Sequence, residues 1–417
     1  MIKKIAIAIG ALIFLISVSF GGLLLWVGSG AIEAPDVRAD DPTDSQVYDQ
    51  SFLPVIEVAQ ERIANFRRET SAPSVSIAVA LDGEILWAEV QGFADLERRT
   101  PASLDSRYTI GSVSKSVTAT LAMQLVEQGV LDLDADIHTY IPDYPALPFT
   151  LTTRQLLSHQ GGIRHYRFAP NPPVFSEMAL NQEFETTADA LSLFSDDPLL
   201  FEPDTDFSYT TYGYTLAGAT IEGATGEDLF TLLSENLFVP LGMSHSAADT
   251  TTPRVPNRVS GYLSLPYFDG LLPSPEVNLS NKWAGGGIAS TPTDLVRFGN
   301  AVLAGEIVSP DLRDEMWTPR STSDGELNPQ HYGLGWRNGG LYYPSDSENI
   351  ITLINHGGTA IDGLTALLIF PESGLVVAMT ANVMSPGGSG PLRSEAAAIA
   401  RRFLDHIEYV PEGYVPE

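Results

Sequence analysis

The sequence predicts an α+β fold with one antiparallel sheet, built from both ends of the chain, and a mostly helical insertion between the two ends. Strand patterns occur before residue 91 and again after residue 332. Between them, apolar residues recur at helical spacing. We therefore expect one domain over residues 47–417, with a sheet part at 47–110 and 330–417 and a helical part at 111–329.

The strands are predicted from β-branched runs that turn residues separate. Ser74–Leu81 is followed by Asp82-Gly83, a hairpin signal, and by a returning strand at 85–90. The C-terminal half offers four more strands, of which the last two are joined by a turn at 371–374. These four are predicted at 333–337, 351–355, 364–370 and 375–380.

The helices are predicted from apolar periodicity and from end signals. One helix begins at Ser112 and stops before Gly129, and Thr152 or Thr153 can cap another that ends near His159. Several short helices are expected between 186 and 237. The remaining helical patterns cover 48–70, a stretch from 134, 291–304, 309–316 and 394–407.

Composition excludes several classes of function. The 417 residues carry a formal net charge of −29, which opposes binding to nucleic acid. The chain has no cysteine, so disulfides, thiolate metal sites and cysteine nucleophiles are excluded. Neither a zinc-protease motif nor a phosphate-binding loop is present, and we expect no metal and no cofactor.

The N-terminus predicts a membrane segment. Lys3 and Lys4 precede an uncharged run at 5–32, which exceeds the roughly 20 apolar residues that a membrane span needs. We expect residues 1–34 to form an uncleaved anchor with the body exported to a periplasmic or extracellular side. A cleaved signal peptide is the alternative. The acidic residues that follow indicate a linker over 35–46.

Ser112 and Lys115 form the first candidate pair. Positions i and i+3 share one helix face, so the hydroxyl and the amine can meet. The chain has only four lysines, Lys3, Lys4, Lys115 and Lys282, and otherwise uses arginine for positive charge. A lysine can give up its proton when it is buried, whereas an arginine cannot. This pattern favours a nucleophile and its base over a surface lysine.

Two further segments offer groups for the same chemistry. Tyr209 precedes a predicted helix and could transfer a proton if nearby cations lower its pKa. His356, Gly358 and Thr359 follow the predicted strand at 351–355. A backbone N–H there, together with that of Ser112, would make an oxyanion hole, while His356 could bind a substrate carboxylate or relay a proton. A packed tyrosine and a glycine-rich turn are the structural alternatives.

Taken in this order, the motifs resemble those of the serine β-lactamase-like superfamily. This superfamily includes class C β-lactamases, D-alanyl-D-alanine carboxypeptidases and related esterases, and the closest likeness is to the serine β-lactamase-like proteins of animal mitochondria. The resemblance covers about residues 73–382. It rests on GSVSKS at 111–116, SHQGGIRHY at 158–166, KWAGGG at 282–287 and MWTP at 316–319.

The resemblance implies a β-lactamase/transpeptidase-like fold with the active site in a cleft between the sheet part and the helical part. Carried over, Ser112 is the acylated nucleophile, Lys115 its base and Tyr209 a second acid or base. His356 stands where β-lactamases have lysine, and the oxyanion donors would be the amides of Ser112 and Thr359. Thr211 stands where the family usually has asparagine, which offers an amide donor to the substrate.

These features predict a membrane-anchored, exported serine hydrolase that forms an acyl-enzyme on peptide or ester carbonyls. Its partners would be a small-molecule or peptide substrate and the membrane, and self-association is possible. A true β-lactamase or a D-alanyl-D-alanine carboxypeptidase is the alternative within the class. A non-catalytic binding or scaffold protein of the same fold is the alternative outside it.

Overall fold

The central feature of the fold is one antiparallel sheet made from both ends of the chain. The computed structural model describes residues 30–171, 173–265, 270–343 and 348–411. Seven strands follow each other across the sheet in the order β1-β3-β2-β13-β12-β11-β10, and β4 adds an eighth strand beside β3. Their bounds are Thr43–Val47 (β1), Ser74–Leu81 (β2), Glu84–Asp95 (β3), Thr100–Pro101 (β4), Arg337–Tyr342 (β10), Ile350–Ala360 (β11), Gly363–Phe370 (β12) and Leu375–Ala381 (β13).

The chain between the two halves of the sheet is mostly helical. It also contains short strands in two three-stranded sheets, β5-β9-β6 and β14-β7-β8. These strands are Tyr108–Thr109 (β5), Ala247–Ala248 (β6), Tyr262–Leu263 (β7), Leu272–Pro273 (β8), Ile288–Ser290 (β9) and Val383–Met384 (β14). The α-helices of the described chain are Leu53–Thr70 (α1), Ser114–Glu127 (α2), Thr153–Leu157 (α3), Thr187–Ala190 (α4), Thr211–Thr225 (α5), Leu229–Leu233 (α6), Trp283–Gly286 (α7), Pro292–Ala304 (α8), Pro310–Trp317 (α9) and Ser389–His406 (α10).

Both faces of the sheet are covered, which explains why its central strands are apolar throughout. In β2, Ile77 and Val79 pack into the core under α1 and α10, while Ala78 and Ala80 pack into the core under α2 and α8. Successive side chains of a strand point to opposite faces, so a strand buried on both sides reads as continuous apolar sequence. The α+β class predicted from the sequence is confirmed.

Several predicted boundaries are wrong. The linker predicted at 35–46 overlaps β1, which pairs with β3 as an edge strand of the main sheet. The segment 333–336 is not a strand, since β10 begins at Arg337. The stretch from 134 forms only a short 3₁₀ turn, Ile137–Thr139. β11 runs to Ala360, so His356 to Thr359 lie within a strand rather than after one.

The predicted membrane segment lies almost entirely outside the described residues. Only its end is described, where Ile32 forms a β-bridge with Leu271. Within the described ranges, no helix combines the length and the apolarity that crossing a membrane would require. The anchor over residues 1–34 stays a prediction.

A buried ion cluster joins the strand before Ser112 to the hairpin between β11 and β12. Arg258 bonds Asp249 at 2.9 Å and also contacts Asp362 in the hairpin turn. Thr109, three residues before Ser112, donates to Asp249 at 2.6 Å and contacts the same guanidinium. Arg258 and Asp249 are each only 7% exposed, so their charges depend on each other rather than on water.

Removal of Arg258 should therefore destabilise the protein strongly. Arg258→Met leaves the buried carboxylate of Asp249 and the half-buried carboxylate of Asp362 without their partner, and we expect a loss of about 3–5 kcal/mol in the free energy of unfolding. Arg38→Met, which breaks an exposed pair with Asp36, should change it far less. Urea denaturation of both variants measures the difference, and similar losses would contradict a special role for the cluster.

Candidate active site

A cleft of about 950 Å³ lies between the sheet part and the helical part. From the helical part it is lined by Ser112, Tyr209 and Thr211. From the sheet it is lined by Arg337 and Thr359. Ser112 and Thr359 therefore lie in the same cleft although they are 247 positions apart in the sequence.

Ser112 lies in a tight turn rather than in the α-helix predicted for it. Gly111–Val113 form one 3₁₀ turn, and α2 begins at Ser114. Gly111 has φ +51°, a left-handed conformation that costs glycine little. This turn leaves the Ser112 side chain partly exposed in the cleft, while Lys115 on the first turn of α2 is fully buried.

Among the residues that the structure describes, Lys115 has three hydrogen-bond partners, and none of them carries a charge. Its Nζ lies 3.2 Å from Ser112 Oγ, 3.1 Å from Thr211 Oγ1 and 2.6 Å from the carbonyl oxygen of Gly285. Burial lowers the pKa of Lys115 well below its ordinary value, and repulsion from Arg337 and Lys282 lowers it further. The surroundings therefore favour a neutral amine.

The positions of the three partners orient that neutral amine. A neutral amine has two N–H donors and one lone pair. The carbonyl of Gly285 can only accept a hydrogen bond, and Thr211 Oγ1 can accept the second. The lone pair of Lys115 is then left for the hydroxyl proton of Ser112, which is the geometry of a general base.

The Thr211 hydroxyl accepts a hydrogen bond from Lys115. It contacts the phenol of Tyr166 as well, and Thr211 is only 4% exposed. The sequence predicted Thr211 as a substrate-binding residue. Thr211 lines the cleft, but its hydroxyl is already engaged with Lys115 and Tyr166.

Tyr209 lies over Ser112 among rings and cations. Its phenol interacts with Ser112 and Arg337. Lys115 Nζ is 5.0 Å from the ring centroid, and Arg337 Cζ is 5.3 Å from it. The sequence left open whether nearby cations lower the pKa of Tyr209. Burial raises this pKa above its ordinary value, and it outweighs the opposing effect of Arg337. Tyr209 is thus a proton donor at neutral pH.

The backbones of Ser112 and Thr359 approach each other where an oxyanion hole requires it. Thr359 pairs with Leu364, one position before the pair that closes the two-residue hairpin turn. The closing pair exchanges hydrogen bonds, so the next pair directs its backbone groups away from the partner strand. A Cβ on Gly111 would lie 3.0 Å from the Thr359 nitrogen. The N–H of Thr359 therefore points to the edge beside Ser112.

His356 does not line the cleft as the sequence predicted. It is fully buried, its Nδ1 lies 2.8 Å from the carbonyl oxygen of Gly357, and its Nε2 lies 2.9 Å from the hydroxyl of Tyr332. Burial lowers the pKa of His356 well below its ordinary value, and Arg337 lowers it further. A neutral, enclosed imidazole cannot bind a substrate carboxylate. The cations that line the cleft on this side include Arg337 and Arg393.

Arg337 is a residue that sequence reasoning missed. It donates to Gln330 at 2.6 Å, and its Nη1 lies 3.3 Å from His356 Nε2. A single arginine at the start of a predicted strand carries no signal by itself. Only the folded sheet shows that it lies over Tyr209.

Two histidines of the segment 158–166 also contribute, although the sequence analysis assigned no role to them. His159 packs against the ring of Tyr209 at 4.3 Å between centroids and accepts the backbone N–H of Thr210. His165 lines the cleft and accepts the backbone N–H of Thr211. Both histidines hold the turn that carries Tyr209. The sequence signal that could have identified them is their position in one short motif.

Lys282 is the second lysine of the site. It lies on the cleft wall with 4% of its surface exposed. Its Nζ donates to the carbonyl oxygen of Met178 at 2.7 Å and lies 5.2 Å from the centroid of the Tyr166 ring. Burial lowers the pKa of Lys282 to about 7.

A sheet with helices on both faces, a Ser-x-x-Lys pair in the cleft and a tyrosine above it together define a class of serine hydrolases. The chain belongs to the beta-lactamase family, whose model matches residues 59–402. The predicted resemblance to the serine β-lactamase-like superfamily is confirmed.

Three known proteins show where the chain lies within the family. The mitochondrial serine beta-lactamase-like protein LACTB of Mus musculus is 27% identical over 90% of this chain and 86% of its own length. The structure of D-amino acid amidase from Ochrobactrum anthropi matches with a TM-score of 0.69 and 25% identity, covering 85% of this chain and 99% of that one. The octameric penicillin-binding protein homologue from Pyrococcus abyssi also matches with a TM-score of 0.69 and 25% identity, covering 87% and 79%.

Gly358 should tolerate no side chain. A Cβ at this position would lie 2.0 Å from the carbonyl oxygen of Ile110 and 3.3 Å from the nitrogen of Ser112. We expect Gly358→Ala to force the two backbones apart and to lower the free energy of unfolding by about 1–3 kcal/mol. Chemical denaturation measures this effect.

Gly339→Ala in β10 is the matched control, because its Cβ would meet no atom closer than 3.8 Å. It should leave stability nearly unchanged. Equal stability of the two alanine variants would show that the close approach of the two backbones does not depend on glycine.

Proposed function

We propose that this protein is a serine hydrolase that acts through an acyl-enzyme on amide, peptide or ester carbonyls. The observation that carries the proposal is Lys115, a buried amine whose charged neighbours among the described residues are the cations Arg337 and Lys282. Its lone pair faces Ser112. A structural lysine would be expected to have a carboxylate partner when it is buried.

In the first half of the reaction, Ser112 Oγ attacks the substrate carbonyl carbon and Lys115 takes the hydroxyl proton. The carbonyl oxygen becomes an oxyanion between the backbone N–H groups of Ser112 and Thr359. Tyr209 then donates its phenol proton to the leaving group as the bond to the acyl carbon breaks. In the second half, water attacks the acyl carbon and gives its proton to the Tyr209 phenolate, while the protonated Lys115 returns its proton to the departing Ser112 oxygen. The acid is released, and Ser112, Lys115 and Tyr209 are back in their starting states.

Two observations, one in the cleft and one among the relatives, bear on the substrate class. Thr211 replaces the family's usual asparagine, and its hydroxyl is engaged with Lys115 and Tyr166. This supports peptides, amides or esters over β-lactams. A structural relative whose printed name is D-amino acid amidase supports the same ranking.

Membrane anchoring and self-association are two further expectations, and neither depends on the geometry of the cleft. Anchoring in a membrane and export of the body rest on the sequence of residues 1–34 alone. Self-association is supported by the octameric state of the relative from Pyrococcus abyssi.

Covalent labelling tests the proposed activity. The full-length protein is incubated with a fluorophosphonate and, separately, with a fluorescent penicillin, and the adduct is mapped by mass spectrometry with Ser112→Ala as control. We expect the phosphonate alone to label Ser112. Labelling by both reagents would favour a β-lactamase or a D-alanyl-D-alanine carboxypeptidase. Folded protein with no adduct would favour the non-catalytic binding protein.

Lys115→Arg should lower the rate of phosphonate labelling by a factor of about 10²–10⁴, the usual contribution of a general base. Arginine keeps the positive charge but cannot give up its proton at any relevant pH. The rate is compared on protein shown to be folded by near-UV circular dichroism. A rate near that of the wild type would exclude Lys115 as the base.

The pH dependence of ester hydrolysis should show two limbs. Activity needs neutral Lys115, so kcat/KM should rise with pH through the lowered pKa of this lysine, far below the pH at which a free lysine titrates. It also needs protonated Tyr209, so kcat/KM should fall only above the ordinary tyrosine pKa of 10.0. A pH–rate profile with a p-nitrophenyl ester measures both limbs. Activity that appears only near pH 10.5 would contradict the assignment of the base.

A further inference from the structure

The backbone N–H of Thr359 lies on a part of β11 that has a strand neighbour on one side only. On that side, Thr359 pairs with Leu364 of β12. On the other side, the pairing of β10 with β11 ends at Asn355 in the described part of the chain. The direction of the Thr359 N–H therefore depends on contacts other than those between the strands.

One such contact is made by the side chain of Thr359, which lines the cleft. Its Oγ1 lies 2.9 Å from the backbone nitrogen of Ser389, the first residue of α10, and accepts that N–H. The first N–H groups of a helix have no partner within the helix. Gly388, which precedes α10, has no side chain that could accept one, so a residue of β11 caps this helix instead.

The two segments approach each other closely around this hydrogen bond. A Cβ on Gly388 would lie 2.8 Å from Thr359 Oγ1, and a Cβ on Gly357 would lie 2.5 Å from Ser389 Oγ. Behind this contact, α10 is fixed to the sheet by four fully buried side chains, Leu392, Ala396, Ile399 and Phe403. The hydrogen bond thus ties Thr359 to a packed helix.

We propose that the hydroxyl of Thr359 positions the backbone N–H of the same residue for the oxyanion. The nitrogen and the Cβ of Thr359 are bonded to one Cα. Holding Oγ1 against Ser389 therefore restricts a rotation of the strand that would turn the N–H away from Ser112. This inference rests on the proposed hydrolase function and adds a positioning role for a side chain that the mechanism does not use.

Substitutions at Thr359 separate the hydrogen bond from the shape of the side chain. Thr359→Val keeps the shape and removes the acceptor, whereas Thr359→Ser keeps the acceptor and removes a methyl group. Loss of a whole oxyanion donor costs about 10²–10³ in kcat, so a donor that is present but less firmly placed should cost less. For p-nitrophenyl pentanoate, we expect Thr359→Val to lower kcat/KM about 10-fold and Thr359→Ser to lower it less than about 3-fold.

Two further measurements distinguish positioning from general damage. Phenylboronic acid forms a tetrahedral adduct with a serine, which would place an oxygen between the N–H groups of Ser112 and Thr359. Its affinity should fall in Thr359→Val by the same factor of about 10. Both limbs of the pH profile of kcat/KM should stay where they are, because the hydrogen bond involves no group that titrates there. Rates are referred to the amount of Ser112 that a fluorophosphonate labels at completion, so that misfolded protein is not counted.

Thr352→Val is the matched control, since Thr352 lies at the other end of β11 and pairs with Gly340. It should leave all three measurements unchanged. If Thr359→Val does not fold, Thr359→Ala, which also lacks the acceptor, takes its place with the same expected losses.

Wild-type kcat/KM in Thr359→Val, or an equal loss in Thr359→Ser, would overturn the inference while Ser112-dependent hydrolysis stands. An unchanged affinity for the boronic acid or a shifted pH limb would overturn it as well. A wild-type protein that neither hydrolyses the ester nor takes a label on Ser112 would instead overturn the proposed function itself.

Discussion

The burial of one amine is the constraint on which the rest of this site depends. Lys115 is removed from water and has only neutral acceptors around it, so the charged form of its side chain is disfavoured. The two acceptors other than Ser112, a carbonyl of α7 and a hydroxyl of α5, come from separate elements of the helical part. Packing of α2, α5 and α7 therefore controls both the protonation and the direction of the base.

The second constraint is the contact of two backbones across the cleft. Ser112 can share a site with Thr359 only because Gly111 and Gly358 have no side chains at the point where the 3₁₀ turn meets β11. The cluster of Arg258, Asp249 and Asp362 holds the same junction from the side of the β11–β12 hairpin. The buried charges therefore lie where they fix the spacing between Ser112, the proposed nucleophile, and the N–H of Thr359, the proposed second oxyanion donor.

The parts of the site that could be predicted are those whose chemistry is tied to spacing along the chain. Ser112 and Lys115 are three residues apart, and the scarcity of lysine made the second one conspicuous. His356 was predicted for the cleft because its motif suggested a turn, but β11 continues through it and turns the imidazole toward Tyr332. Arg337 and His165 could not be found in the same way, since their contacts with Tyr209 and Thr211 join segments far apart in the sequence.

By itself, the sequence determined the class of fold, the family, and the candidate nucleophile and base, because apolar periodicity and short motifs are local properties of the chain. The tertiary structure decided the protonation of Lys115 and Tyr209, the burial of His356 away from the cleft and the contact between His165 and the backbone of Thr211. Each of these depends on what surrounds a side chain in three dimensions. Burial and neighbouring charges set a pKa, and strand register sets the direction of a side chain, and neither is written in the residues next to it.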